Sequence, residues 1–253
     1  METFALYGGT VTLCFDEGKH LYTVDGVIKP SVTGIVKCID KSGPLMGWVA
    51  KLASEEVANS LKPGQALDEI EIKDLCDRIK KAHRKASQKA ADIGQMAHDW
   101  FEAYGKAEIN KTKKPEYPVN KKLQSCVDSF LDWVKRNEVR FVACEAKIYS
   151  KAHGYAGTMD LDGYVQDKRG VWDYKSSNAI YPEMGLQLSA YKQAREEEGH
   201  GPYEETGIVR VAKDGGEFEA KPFNEHEAHL AGFMACLALH RWMNNLLHVT
   251  VSK

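Results

Sequence analysis

Two aspartates two residues apart, then an aspartate and a lysine at the same spacing, stand in one short stretch, GTMDLDGYVQDKRGVWDYKSS, which holds Asp160, Asp162, Asp173 and Lys175. Residues two apart on an extended strand share a face. Asp160 and Asp162 are therefore expected to point together, as are Asp173 and Lys175, with Trp172 and Tyr174 on the other side. A tight QDKRG turn would lay the two strands side by side and gather carboxylates and one ammonium into a small volume. Carboxylates crowded away from water repel one another, and their pKa values rise. A hard divalent cation removes that cost, and oxygen-rich ligands favour magnesium or manganese over zinc. The chemistry suggested is a metal held by a sheet; the plain alternative is a set of exposed turn-flanking charges with one salt bridge.

The elements that must position these residues follow from periodicity. A period of two over RFVACEAKIYS, AGTMDLDGYV and GVWDYKSS predicts three consecutive strands. A helix over about Glu183 to Glu197 follows, then strands ETGIVRVAK and GEFEAKPF, then a helix opened by Asn224 with Glu227 three residues on. Upstream, TVTLCFDEGKHLYTVDGVIKPS reads as small hairpins turning at Glu17-Gly18 and Asp25-Gly26, and Ser31 can cap a short helix. A helix is expected from about Leu45 to Leu61, with Trp48, Leu52 and Val57 apolar.

From Ile70 to Tyr104, Ile79, Ala82, Ala86, Ala90, Ile93, Ala97 and Phe101 recur at helical spacing. Beside that stripe Arg78, Lys81, Lys85 and Lys89 form a basic ridge leading toward His98, either a solvated face or a phosphate contact. Residues 105–122, with six lysines and two prolines, read as a loop, and a helix from about Asn120 to Asn137 follows. The order is α+β, a central mixed sheet flanked by helices, with an N-terminal hairpin and helical region over 1–120 and a core over 121–253, together one compact unit.

At 253 residues and 43% hydrophobic content the chain is long enough to bury a substantial core. A formal net charge of -2 excludes a uniformly basic nucleic-acid coat, so a polyanion would be held by local basic patches or by metal. The six cysteines occur singly, without a CxxC pair, which suits free thiols in a reducing, cytoplasmic compartment. No stretch approaches the roughly 18 apolar residues of a membrane helix, and no membrane partner is expected.

The ordered series EAKIYSKAHGYAGTMDLDGYV, GVWDYKSS and EMGLQLSAY, preceded by GQMAH, resembles the PD-(D/E)xK nuclease superfamily in its RecB-like branch. Within that branch it is most similar to phage-encoded exonucleases related to the mitochondrial genome maintenance exonuclease. The resemblance covers roughly residues 90–195 and reaches more loosely to PSVTGIV and LMGWVAK. It implies a restriction-endonuclease-like core and a Mg²⁺- or Mn²⁺-dependent deoxyribonuclease with one or two ions. His98, Asp160 and Asp173 would be the ligands, Glu145 a further ligand or supporting group, Lys175 the residue that orients the attacking water, and Gln187 and Tyr191 its positioning partners. Asp162 is an extra acid that leaves the second-strand ligand open, and Ser176-Ser177 replaces a commoner threonine.

DNA, single-stranded or at duplex ends, is the implied substrate, with Tyr155 or Trp100 able to stack a base and Ser176 near the strand. The resemblance also implies a phage setting within a bacterial host, and a recombination or single-strand annealing protein as partner. Some members of the branch carry an iron-sulfur cluster on one early and three late cysteines; only Cys236 lies late here, so none is expected. Two other readings stand beside the exonuclease: a structure-selective endonuclease of the same fold, and a non-catalytic DNA-binding module.

Overall fold

The computed structural model describes residues 1–40, 42–177, 179–211 and 218–250, with the side chains at 44, 83–92 and 245–250 outside the described set. The chain divides into two compact units, Met1–Cys38 with Met96–Lys253, and Ile39–Gln95.

In the larger unit the period-two segments pair as their spacing predicts. Strands β5 (Arg140–Ser150), β6 (Tyr155–Val165), β7 (Lys168–Lys175), β8 (Glu205–Val211) and β9 (Phe218–Phe223) form one sheet in that spatial order. Neighbours run antiparallel except β7 and β8, which are parallel. A parallel pair needs a crossover, and helix α5 (Met184–Glu197) supplies it. Strands β6 and β7 are joined by Gln166 and Asp167 alone, both with positive φ (50° and 64°), the geometry whose twist matches a two-residue hairpin.

Helices cover both faces of the sheet. On one, α5, α1 (Val32–Val36) and α6 (His226–Thr250) bury Val32, Ile35, Met159, Leu188, Tyr191 and Phe233 against the strands. On the other lie α4 (Lys121–Arg136) and the C-terminal part of α3 (Glu69–Asn110), which meet the sheet through an aromatic cluster. Phe101 stacks on Phe130 (centroids 4.1 Å), both meet Tyr174 edge to face, and Trp133 packs on Trp172. The predicted α+β class with a central mixed sheet is the observed one.

The first residues add a meander of β1 (Glu2–Leu6), β2 (Val11–Asp16), β3 (Leu21–Val24) and β4 (Val27–Lys29). The hairpins at Glu17-Gly18 and Asp25-Gly26 are present, but β1 was not expected, because alternation in METFAL is broken by the run Phe4-Ala5-Leu6. Leu13, Tyr22 and Val24 pack on Tyr149 and Ala156 of the large sheet. Ser31 caps α1 as expected, its Oγ accepting from the Gly34 amide at 3.0 Å. Helix α3 continues to Asn110, six residues beyond Tyr104, because AEIN carries no breaker. Helix α6 begins at His226, two residues after Asn224.

Gly157 on β6 explains part of the sheet's packing. A Cβ there would sit 2.9 Å from Tyr191 Cε1 and 3.2 Å from Val32 Cγ2, so α5 and α1 settle on the strand only because that position is bare. Gly157→Ala is expected to lower stability by about 1–3 kcal/mol, measured by urea denaturation, through displacement of Tyr191.

In the smaller unit α2 (Ser42–Ser60) precedes the first part of α3. Among described side chains there, Arg78 is held by Glu56 (3.1 Å) and by Asp74. Lys81 is exposed, and the side chains of Lys85 and Lys89 lie outside the described residues. No helix of the described residues is long and apolar enough to cross a membrane.

Candidate metal centre

The site forms where β6 and β7 separate. Their ladder runs from Val165↔Lys168 to Leu161↔Trp172 and stops, and at the next position Asp160 Oδ2 accepts from the Tyr174 amide at 2.8 Å. A carboxylate thus fills the gap the ladder leaves, and the neighbouring backbone donor is satisfied without a strand partner. Glu145 falls opposite Asp160, between the pairs Cys144↔Leu161 and Ala146↔Met159. Its φ of 53° is left-handed, a local departure of the kind that re-aims a strand side chain.

Helix α3 brings the imidazole. His98, Phe101 and Gly105 recur at three and four spacing on one helix face. A Cβ on Gly105 would stand 2.9 Å from the Phe141 ring, so the helix approaches β5 closely there. His98 Nε2 lies 3.0 Å from Asp160 Oδ2 and 3.4 Å from Glu145 Oε1. One ligand-type atom from each of His98, Glu145 and Asp160 falls within 4.8 Å of the others. Asp173 is not part of that group; it is buried beside it, in contact with Lys175, and accepts at Oδ1 from Gln187 Nε2 at 3.1 Å. Gln187 also donates to Tyr191 Oη at 2.8 Å, the i,i+4 pair acting as one unit. Of the sequence-predicted residues, then, His98, Glu145 and Asp160 meet directly, and Asp173, Lys175, Gln187 and Tyr191 form an adjoining chain of contacts.

The electrostatics record the crowding. Burial and the charge of Asp160 push Glu145 up to about 7. Burial and the same neighbour push Asp173 upward, against the opposing pull of Lys175. Burial alone would raise Asp160 too, but its hydrogen bond and attraction to His98, with Lys175 and the Tyr174 amide, hold it below the usual carboxylate range. Burial lowers the His98 imidazole, yet the hydrogen bond to Asp160 and the charges of Asp160, Glu145 and Asp173 outweigh it and lift the ring to about 9. Two buried acids, Asp160 and Asp173, and the half-buried Glu145 share a histidine and a lysine, and an imidazole with carboxylates is a donor set that a divalent cation fits. At free Mn²⁺ 100-fold above its dissociation constant, stability is expected to rise by about 2.7 kcal/mol, read as a higher Tm that Asp160→Asn removes.

Two sequence expectations require correction. Asp160 and Asp162 do not share surroundings. Asp162, fully buried, accepts from Arg169 at both oxygens (Nε 3.0 Å, Nη2 2.9 Å), from Tyr203 Oη at 2.8 Å, and lies 3.4 Å from Arg195. Its lone pairs are committed to that cluster and not to the His98 site. Tyr155 is no platform for a base: it is fully buried, donates to the Ala190 carbonyl at 2.9 Å and packs on Phe233. Trp100 likewise donates to the Glu116 carbonyl and stacks on Tyr104, which pins part of the lysine-rich loop. Ser176, half-buried, directly follows Lys175 at the end of β7.

Sequence reasoning missed the wall contributed by the N-terminal meander. Tyr22, buried on β3, bonds Thr158 Oγ1 at 2.8 Å, and its phenol feels the charges of Glu145 and Asp160. Lys147, two residues beyond Glu145, lies 3.9 Å from it and sits over the Phe15 ring at 4.7 Å. The period-two spacing of Glu145 and Lys147 was the available signal; their enclosure by Phe15 was not.

No protein-family model matches the chain, and no curated protein matches it. Among solved structures, similarity extends to a crystal structure of LHK-Exo in complex with dAMP, at 14% identity and a TM-score of 0.30, over 59% of this chain and 85% of that one. It extends also to the crystal structure of SSO0001, at 16% identity and a TM-score of 0.26, over 44% of this chain and 55% of that one. The functional reading rests on the chain's own residues.

Proposed function

We propose that the chain is a metal-dependent deoxyribonuclease, an exonuclease that hydrolyses phosphodiester bonds in single-stranded DNA or at duplex ends. The observation that carries this reading is the meeting of His98, Glu145 and Asp160 at the splayed strands, beside the buried Asp173 and its half-buried partner Lys175. His98, Glu145 and Asp160, with Asp173 alongside, would hold Mg²⁺ or Mn²⁺. When bound, such an ion polarises a phosphate oxygen and makes bound water more acidic. Lys175 donates hydrogen bonds from its ammonium, orients the attacking water and stabilises negative charge gathering on the phosphate. Its pairing with Asp173 keeps the ammonium charged: burial would lower its pKa, and the charges of Asp173 and Asp160 raise it further than that. Gln187 and Tyr191 fix Asp173, and so fix the lysine that rests on it.

The test is digestion of 5′-labelled linear, 3′-labelled linear and circular DNA in parallel, with Mg²⁺, with Mn²⁺ and with EDTA. Loss of the linear substrates alone, abolished by EDTA, is the expected result. Cleavage of circular DNA would replace the exonuclease with an endonuclease, and no cleavage of any substrate with either metal would overturn the reading.

A further inference from the structure

The residue between Asp173 and Lys175 touches two of the three clustered ligand-type groups, by two different means. The Tyr174 backbone amide donates to Asp160 Oδ2 at 2.8 Å, and its ring meets the His98 ring edge to face, centroids 5.8 Å apart at 79°. The ring is in turn clamped by Phe101 (5.3 Å, 71°) and Phe130 (5.7 Å, 83°), which stack on each other. Tyr174 is 5% exposed, and its hydroxyl has no hydrogen-bond partner among the described residues. A buried hydroxyl left unpaired is a cost that phenylalanine would not carry, so hydrogen bonding by the side chain does not account for the ring's place here.

We infer that Tyr174 is a positioning residue for the metal centre: its clamped ring fixes at once the peptide that holds Asp160 and the plane of the His98 imidazole. This rests on the reading of the site as a metal centre. A single rigid side chain then sets the separation between a strand carboxylate and a helix imidazole, which otherwise depends on how α3 packs on the sheet. The neighbours of a ligand commonly set affinity in this way by fixing its orientation.

The experiment measures Mn²⁺ affinity of the full chain by calorimetry for wild type, Tyr174→Phe and Tyr174→Met, with thermal unfolding alongside. Tyr174→Phe keeps the ring and is expected to bind Mn²⁺ as wild type does; Tyr174→Met, similar in size but without a ring, is expected to bind about 10–100-fold more weakly. Wild-type affinity in Tyr174→Met, with or without a lower Tm, would overturn the inference by making the ring only a core filler. Equal loss in both variants would overturn it by placing the effect on the hydroxyl. If Tyr174→Met does not fold, Phe101→Leu removes a clamp and leaves Tyr174, His98 and Asp160 in place; weaker binding there supports the inference and unchanged binding overturns it. A wild-type protein that binds no Mn²⁺ marks a different failure, that of the metal centre itself.

Discussion

Asp162→Ala is expected to destabilise the fold by about 3–5 kcal/mol, measured by chemical denaturation, without Asp162 touching the His98 cluster. The magnitude follows from what the substitution strands. Asp162 is fully buried and neutralises Arg169 through two near-parallel hydrogen bonds, while the Arg195 side chain, 8% exposed, has Asp162 and Glu198 as its acidic neighbours. Removing the carboxylate leaves cationic side chains in a confined space, and Tyr203 loses its acceptor at 2.8 Å. Asp162→Asn keeps the shape and one acceptor oxygen, so it should cost less than alanine. Parity of the two variants would mean that the lost charge, which both substitutions remove, sets the whole cost and that the remaining acceptor oxygen adds nothing. The folded fraction of either variant should retain Mn²⁺ binding, which separates this carboxylate from Asp160 two residues away.

Lys175→Ala is expected to reduce DNA cleavage by about 10²–10³-fold at saturating metal, the range found when one pre-placed donor to developing charge is removed. The ammonium touches Asp173, and the side chain is a quarter exposed, enough to meet a substrate. Its loss leaves Asp173 with Gln187 as a partner and with less opposing charge, so the Asp173 carboxyl moves further above its ordinary range. The affected step is therefore tested at Mn²⁺ concentrations that saturate the variant by calorimetry. Lys175→Arg keeps the charge but spreads it over a planar fork, and is expected to recover only part of the rate. Full activity in Lys175→Ala would remove the lysine from the chemistry.

Much of this arrangement could be read from spacing alone. Strand β5 matches the expected RFVACEAKIYS, and Asp173 and Lys175 do share a face, because β7 keeps a strict alternation to its end. The misreading of Asp160 and Asp162 has a physical source. The alternation rule assumes an unbroken ladder, and here the β6/β7 ladder ends at Leu161↔Trp172 while Glu145 across the other edge takes a left-handed φ. Nothing in MDLD announces that break. Arg169, Arg195 and Tyr203, which claim Asp162, come from three separate segments, and single-chain periodicity carries no information on such meetings. Tyr155 was misread for the complementary reason: an aromatic beside a motif looks the same in sequence whether it faces a groove or the core. The basic ridge shows a third limit, since Arg78 has acidic partners one turn back on its own helix and on α2.

The division of the chain has a consequence for its biosynthesis. The larger unit is assembled from Met1–Cys38 and Met96–Lys253, with the other unit's residues, Ile39–Gln95, lying between them in sequence. Val32 and Ile35, from the first segment, share a core with Phe233 and Leu237 of α6. At about 5–20 residues per second of translation, nascent α1 must wait roughly tens of seconds on the ribosome before Phe233 and Leu237 emerge. Its half-finished apolar face is therefore the surface on which a chaperone holding the newborn polypeptide should be caught by crosslinking.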